Sequence, residues 1–178
     1  MFANPKENLE KLGLSPGTIV ADLGAGSGHY AFIAAKMVGG MEMEGKVYAI
    51  DVQKDLLDRI KNEANHEHLT NIEIIWGNAE KIGGTKLRDL SVDVVIASNI
   101  FFQVENRETF AKEIARILKP KGRLFFIEWS DSFGGIGPKA DAVVTEAAAK
   151  IFFEKNGFMV ERDVPVGSHH YGLVIRKK

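Results

Sequence analysis

The densest chemistry in the chain lies in Val20-Ala21-Asp22-Leu23-Gly24-Ala25-Gly26-Ser27-Gly28-His29-Tyr30, where a short apolar run passes straight into closely spaced glycines. Glycine adopts positive φ without strain and lets a ligand press against the main chain. A helix starting just after such a turn offers unpaired N–H groups to a polar or anionic guest. The same residues would also build a tight strand-to-helix turn with no guest. Dinucleotide sites space their glycines G-x-G-x-x-G. Here the third glycine falls one place early, at Gly28, and His29 stands where a helix-packing glycine belongs. Asp22, before the first glycine, would face an amine better than a pyrophosphate, so charge argues against NAD. Asp51 closes the next apolar run, and its carboxylate can accept two hydrogen bonds from a vicinal diol such as a ribose. It can equally cap the helix that follows.

The elements that must position these residues follow from the apolar period. Short apolar runs at 18–23, 46–51, 72–76, 92–98 and 123–129 read as strands, and they alternate with helical patterns at 27–38, 54–64, 107–118 and 145–156. That alternation predicts βα units on a parallel sheet. Pro120 and Gly122 should stop the 107–118 helix, and Gly157 the 145–156 helix. Two last strands, 158–164 and 171–176, have no helix between them and Gly167 in their connection, which predicts an antiparallel hairpin. The expected fold is α/β, Rossmann-like, with seven mostly parallel strands, helices on both faces and a C-terminal antiparallel hairpin.

Composition narrows the chemistry. The chain of 178 residues suits one domain spanning 1–178. With no cysteine it has no thiolate nucleophile, disulfide or Cys-ligated metal, and the cytoplasm is the expected compartment. Lys plus Arg total 23 against 24 for Asp plus Glu, so no global field draws a nucleic acid. The amino terminus lacks a signal-peptide core, and no apolar run reaches the roughly 20 residues of a membrane span. His66 and His68 are badly spaced for joint ligation, so no metal is expected.

From Val20 onward the chain resembles the class I S-adenosylmethionine-dependent methyltransferases, particularly the small single-domain members of the ubiquinone and menaquinone branch. The resemblance implies that S-adenosylmethionine is the cofactor and that Asp22, Gly24, Ala25, Gly26 and Gly28 wrap its methionine part, with Tyr30 nearby. It implies that Asp51, with Val52, holds the ribose hydroxyls. Asn78, Ala79 and Glu80 would lie beside the adenine, with Asn78 where many relatives carry Asp. Ser98 and Asn99 would lie under the reactive sulfonium.

Methyl transfer is an in-line displacement, so acceptor, methyl and sulfur must be aligned and water excluded. Phe101 and Phe102 could wall such a site, or one or both could belong to the core. No proline follows Asn99, which removes the usual signature of amino-group methylation on bases or amides. Pyrimidine C5 methylation is excluded with cysteine. A small-molecule acceptor gains by elimination. Glu128-Trp129-Ser130-Asp131 reaches the same sheet edge: Trp129 is a candidate substrate contact, and Glu128 or Asp131 a candidate proton acceptor or a merely hydrogen-bonded carboxylate. Gly134-Gly135-Ile136-Gly137-Pro138 has the composition of a closing loop. His170 could reach the pocket mouth as base or orienter, or be an exposed hairpin histidine. Two other readings stay open: the same chemistry on a protein or RNA acceptor, and a noncatalytic S-adenosylmethionine-binding domain.

Overall fold

The computed structural model describes residues 4–40 and 45–178. Its centre is a seven-stranded sheet in the order β3-β2-β1-β4-β5-β7-β6. The strands are β1 (Ile19–Leu23), β2 (Lys46–Asp51), β3 (Ile72–Trp76), β4 (Val92–Ser98), β5 (Leu118–Trp129), β6 (Phe158–Val164) and β7 (His170–Lys177). β1 to β5 pair in parallel, and β7 runs antiparallel to both β5 and β6. The expected hairpin forms, with its second strand on the inside, between β5 and β6.

Helices cover both faces. α1 (Pro5–Leu12), α2 (His29–Val38) and α3 (Lys54–His66) bury Leu9, Leu12, Ala31, Ala34, Leu57 and Ile60 against Val20, Val47, Val94, Ile96, Phe125 and Ile127. α4 (Arg107–Ile117) and α5 (Glu146–Lys155) bury Phe110, Ile114, Ala149 and Phe153 against Ala21, Leu23, Val95, Phe126 and Leu173. The strand residues divide between the faces by the two-residue alternation of a pleated sheet, so each strand is apolar on both sides.

Two elements differ from the sequence expectation. α1 has no counterpart in it, although its signals are ordinary. Asn4 Oδ1 accepts the N–H groups of Lys6 and Glu7, Pro5 opens the first turn, and Gly13 closes the helix at φ 74°. β5 begins at Leu118 rather than 123, because Leu118 already pairs with Val92 while Lys119 forms an ion pair with Asp93 at 2.8 Å. The irregular stretch at Pro120 to Gly122 is absorbed where the register shifts between Val92 and Val94.

β1, β2 and β4 end side by side at Leu23, Asp51 and Ser98. The carboxyl edge of a parallel sheet, near its topological switch point, is where such folds bind ligands. Among the described residues, no helix is long and apolar enough to cross a membrane.

Candidate functional site

A cleft of about 530 Å³ opens at that edge. Asp22, Gly24, Ala25, Gly26, Tyr30, Asp51, Val52, Asn78, Ala79, Glu80, Ser98 and Asn99 all line it, so twelve of the thirteen residues expected at a cofactor meet in one place. Gly28 does not line the cleft. At φ 81° a Cβ there would lie 2.9 Å from both Ile60 and Phe32, so Gly28 lets α2 pack against α3. The helix-packing duty assigned in dinucleotide folds to the glycine one place later is met here by Gly28.

The turn is fixed by the strand beside it. The N–H groups of Gly24 and Ala25 donate to the Ile50 carbonyl at 2.8 and 3.1 Å, and Gly26 N–H donates to Asp51 Oδ2 at 2.9 Å. Asp51 Oδ1 accepts the Gln53 N–H at 2.9 Å, at the start of α3. This is an Asx turn ahead of the helix and not the expected cap, because Gln53 is the N-cap residue of α3 and no side chain caps it. A carboxylate oxygen has two acceptor sites, so each oxygen keeps one for a further donor.

Asp22 is 3% exposed, and its Oδ2 has no hydrogen-bond partner. Burial, with the nearby charge of Asp51 adding to it, pushes the Asp22 carboxyl up to about 7. A buried, unpartnered carboxylate oxygen beside a cleft is costly unless a cationic donor completes it.

The opposite wall comes from the loops after β3 and β4. Asn78 Oδ1 accepts the Glu80 N–H at 2.8 Å, and Asn78 N–H donates to the Gly84 carbonyl at 3.0 Å. One Glu80 oxygen accepts the N–H groups of Glu105 and Asn106 at 2.9 and 2.8 Å, tying this loop to the start of α4. Asn99 stands at φ 56° with its buried Oδ1 unpartnered. That is a strained backbone position for a residue at the end of a strand. Ile100, which seats its Cδ1 against Gly24, also lines the cleft.

The acceptor-side residues disperse. Phe101 is 1% exposed and packs on Phe126 and Phe153 with centroids 5.3 and 5.6 Å away, which makes it a core ring and not a cleft wall. Phe102 is half-buried against the same cluster, and its N–H donates to Glu128. Glu128 is fully buried on the α4/α5 side of β5. Burial raises its carboxyl to about 7 against the opposing hydrogen bonds from Trp129, Phe102 and Phe101 N–H. Asp131 pairs with His169 at 3.0 Å. His170 is not an exposed hairpin residue: it is 8% exposed and lies 4.2 Å from the Trp129 ring. The register of β5 and β7 puts those two opposite each other. None of these six side chains lines the cleft.

His29, which directly follows the glycine turn, lines the cleft as its position suggests, and Pro5, Gln103, Val104 and Phe110 join the lining without having been singled out as cofactor contacts. Pro5 arrives with α1, which the Asn4-Pro5 pair signals as a helix start. The others come from the turn of 3-10 helix at Phe101–Gln103, the segment after it and the adjoining helices, whose path no local pattern reveals.

Residues 14–158 match the family model described as "Methyltransferase domain". An arsenite methyltransferase of Halobacterium salinarum is 29% identical over 62% of this chain and 27% of its own. A ubiquinone/menaquinone biosynthesis C-methyltransferase of Francisella tularensis subsp. novicida is 32% identical over 70% of this chain and 48% of its own. The chain thus spans half or less of the length of these two relatives. A solved SAM-dependent methyltransferase from Aquifex aeolicus is 31% identical and superimposes with a TM-score of 0.89, covering 99% of this chain and 91% of that one.

Proposed function

The chain belongs to the methyltransferase-domain family, and from that premise we propose that it transfers a methyl group from S-adenosylmethionine to a small-molecule acceptor. The observation that carries the reading is the buried, unpartnered Asp22 Oδ2 at the glycine turn, beside an Asp51 with acceptor capacity to spare.

The residues present fit the cofactor. Asp22 would receive its ammonium, and the backbone from Gly24 to Gly26 would lie along its amino-acid part. Asp51 would accept from the ribose hydroxyls while keeping its bonds to Gly26 and Gln53. Asn78 and Ala79 would meet the adenine, and Ser98 and Asn99 would face the sulfonium side. When bound, the cofactor supplies an electrophilic methyl on a positively charged sulfur. Pro5 of α1 and Ile100 narrow the cleft around it and restrict water. No general base is assigned among the cleft residues. A small acceptor is supported by two relatives whose names specify arsenite and quinone chemistry.

Calorimetric titration with S-adenosylmethionine, S-adenosylhomocysteine and NAD tests the cofactor. Binding of the first two and not the third is expected, and binding of NAD alone would overturn the reading. Release of S-adenosylhomocysteine with a panel of small acceptors tests the transfer. Tight cofactor binding without turnover on any acceptor would favour a noncatalytic binder.

A further inference from the structure

We propose that Trp129 and His170 form the floor of the acceptor subsite, and that the His170 imidazole accepts the hydrogen bond of a hydroxyl carried by a flat ring. The inference rests on the cofactor reading above and adds to it the chemistry of the second substrate.

His170 is an anomaly in the described residues. It opens β7 at 8% exposure, yet neither ring nitrogen has a hydrogen-bond partner. Leaving a buried polar group without a partner is costly, and any apolar residue at this position would avoid that cost. The ring packs at 4.2 Å and 38° on Trp129, its neighbour across the β5–β7 ladder. Burial and the adjacent His169 hold His170 below its ordinary pKa, with Asp131 opposing them, which favours the neutral ring, in which one nitrogen carries a free lone pair.

Its place on the sheet links it to the cleft. Val94 and Ile96 of β4 and Ile127 of β5 share one face of the sheet, and alternation puts Ser98, Trp129 and His170 on that same face. Ser98 and Tyr30 line the cofactor cleft. Asn8 bridges onward, donating to Tyr30 Oη at 3.0 Å and to the Val166 carbonyl at 3.4 Å. Ser98 pairs with Ile127, two residues before Trp129, so this one sheet face runs from the sulfonium side of the cleft across β5 to His170.

What covers Trp129 is a loop and not core. A Cβ at Gly137 would stand 2.8 Å from the indole, so the loop backbone lies directly on the ring. Gly134, Gly135 and Gly137 all take positive φ. The loop's own apolar residues, Phe133 and Ile136, are 40% and 56% exposed. Lifting this segment uncovers an indole face, which favours a flat ring, beside an imidazole that lacks a partner.

The sequence has two tryptophans, and Trp76 lies exposed at the far edge strand. Trp76→Phe therefore leaves Trp129 as the fluorophore. Quenching of that protein by 4-nitrophenol, at a pH where the phenol is protonated, is compared with quenching by 4-nitroanisole, the same ring without the O–H. Both are measured with and without S-adenosylhomocysteine. Saturable quenching is expected, with the phenol favoured by about 10-fold, the worth of one hydrogen bond. In the added variant His170→Phe, which keeps a stacked ring and removes the nitrogens, the ratio should fall to about 1. Equal binding of the two probes in the parent, or an unchanged ratio in His170→Phe, would overturn the proposal. If His170→Phe fails to fold, His170→Gln, which retains an acceptor, should keep part of the preference, and an unaltered preference there also overturns it. Calorimetry with S-adenosylhomocysteine separates the two levels: its failure in the parent removes the cofactor reading, whereas its success without phenol preference removes only the subsite.

Discussion

Asp51 Oδ2 holds the Gly26 N–H at 2.9 Å, so the acid that ends β2 and the glycine turn that follows β1 are one rigid unit. Removing the carboxylate should both delete the diol acceptor and loosen the turn. Asp51→Ala is expected to weaken S-adenosylmethionine binding by at least about 10-fold, roughly the loss of one charge-assisted hydrogen bond or more. Unchanged affinity by calorimetry would refute the ribose assignment.

Asp22 makes the ligand-free protein sensitive to pH. Its carboxyl is raised from 3.8 to about 7, so the folded state holds a proton that the unfolded chain has already released. Stability should therefore fall as pH rises from about 4 through 7. Glu128, raised from 4.5 to about 7, contributes with the same sign. Asp22→Asn should remove its share of the slope and raise the stability of the free protein by a few kcal/mol, on the order of 2–4, at mildly alkaline pH. Cofactor affinity should drop in the same variant. Denaturant titrations across this range check both directions, and an unaltered slope would count against the buried charge.

Gly24→Ala tests the close approach of Ile100. A Cβ at position 24 would overlap Ile100 Cδ1, on a backbone at φ 68°. The expected loss is about 1–3 kcal/mol of stability, with at least about 10-fold weaker cofactor binding. Adding Ile100→Ala should relieve the clash but not the φ strain, so stability should recover only in part.

Glu113 supports the cleft from behind. It accepts the N–H groups of Gly83 and Thr85 at 2.8 and 3.2 Å and forms an ion pair with Arg116 at 2.7 Å. Burial would raise its pKa, but Arg116, Thr85 and the Gly83 N–H outweigh it and hold the carboxyl down to about 2. Its stabilisation is present above pH 4.5 and disappears as pH falls through about 2. Glu113→Gln should cost about 3 kcal/mol near neutrality and flatten the acid limb of the stability curve. Because Gly84 bonds Asn78, cofactor affinity should also decline modestly.

The strand-to-helix alternation and the acids at the ends of β1 and β2 were legible because local period and glycine spacing encode them. The same holds for the meeting of Asp22, Asp51 and Asn78, since parallel strands all deliver their carboxyl ends to one edge. Phe101 was ambiguous because adjacent aromatics after a strand can turn either way, and only the packing of Phe126 and Phe153 decides it. His170 looked exposed because a hairpin start is usually wet. It packs on Trp129, which is distant in sequence and lies under the glycine loop, and neither carries a periodic signal. α1 was missed although Asn4, Pro5 and Gly13 spell its caps, because eight residues show little more than two turns of amphipathic pattern.

The place of β7 between β5 and β6 also governs the order of assembly. As the nascent chain leaves the ribosome, β6 emerges first and has no ladder to join until β7 follows. Meanwhile the flank of β5, with Phe125, Phe126 and Ile127 along it, stays open to any passing strand. Chaperone demand during synthesis should therefore peak in the short interval before the stretch from His170 to Lys177 docks and closes that gap.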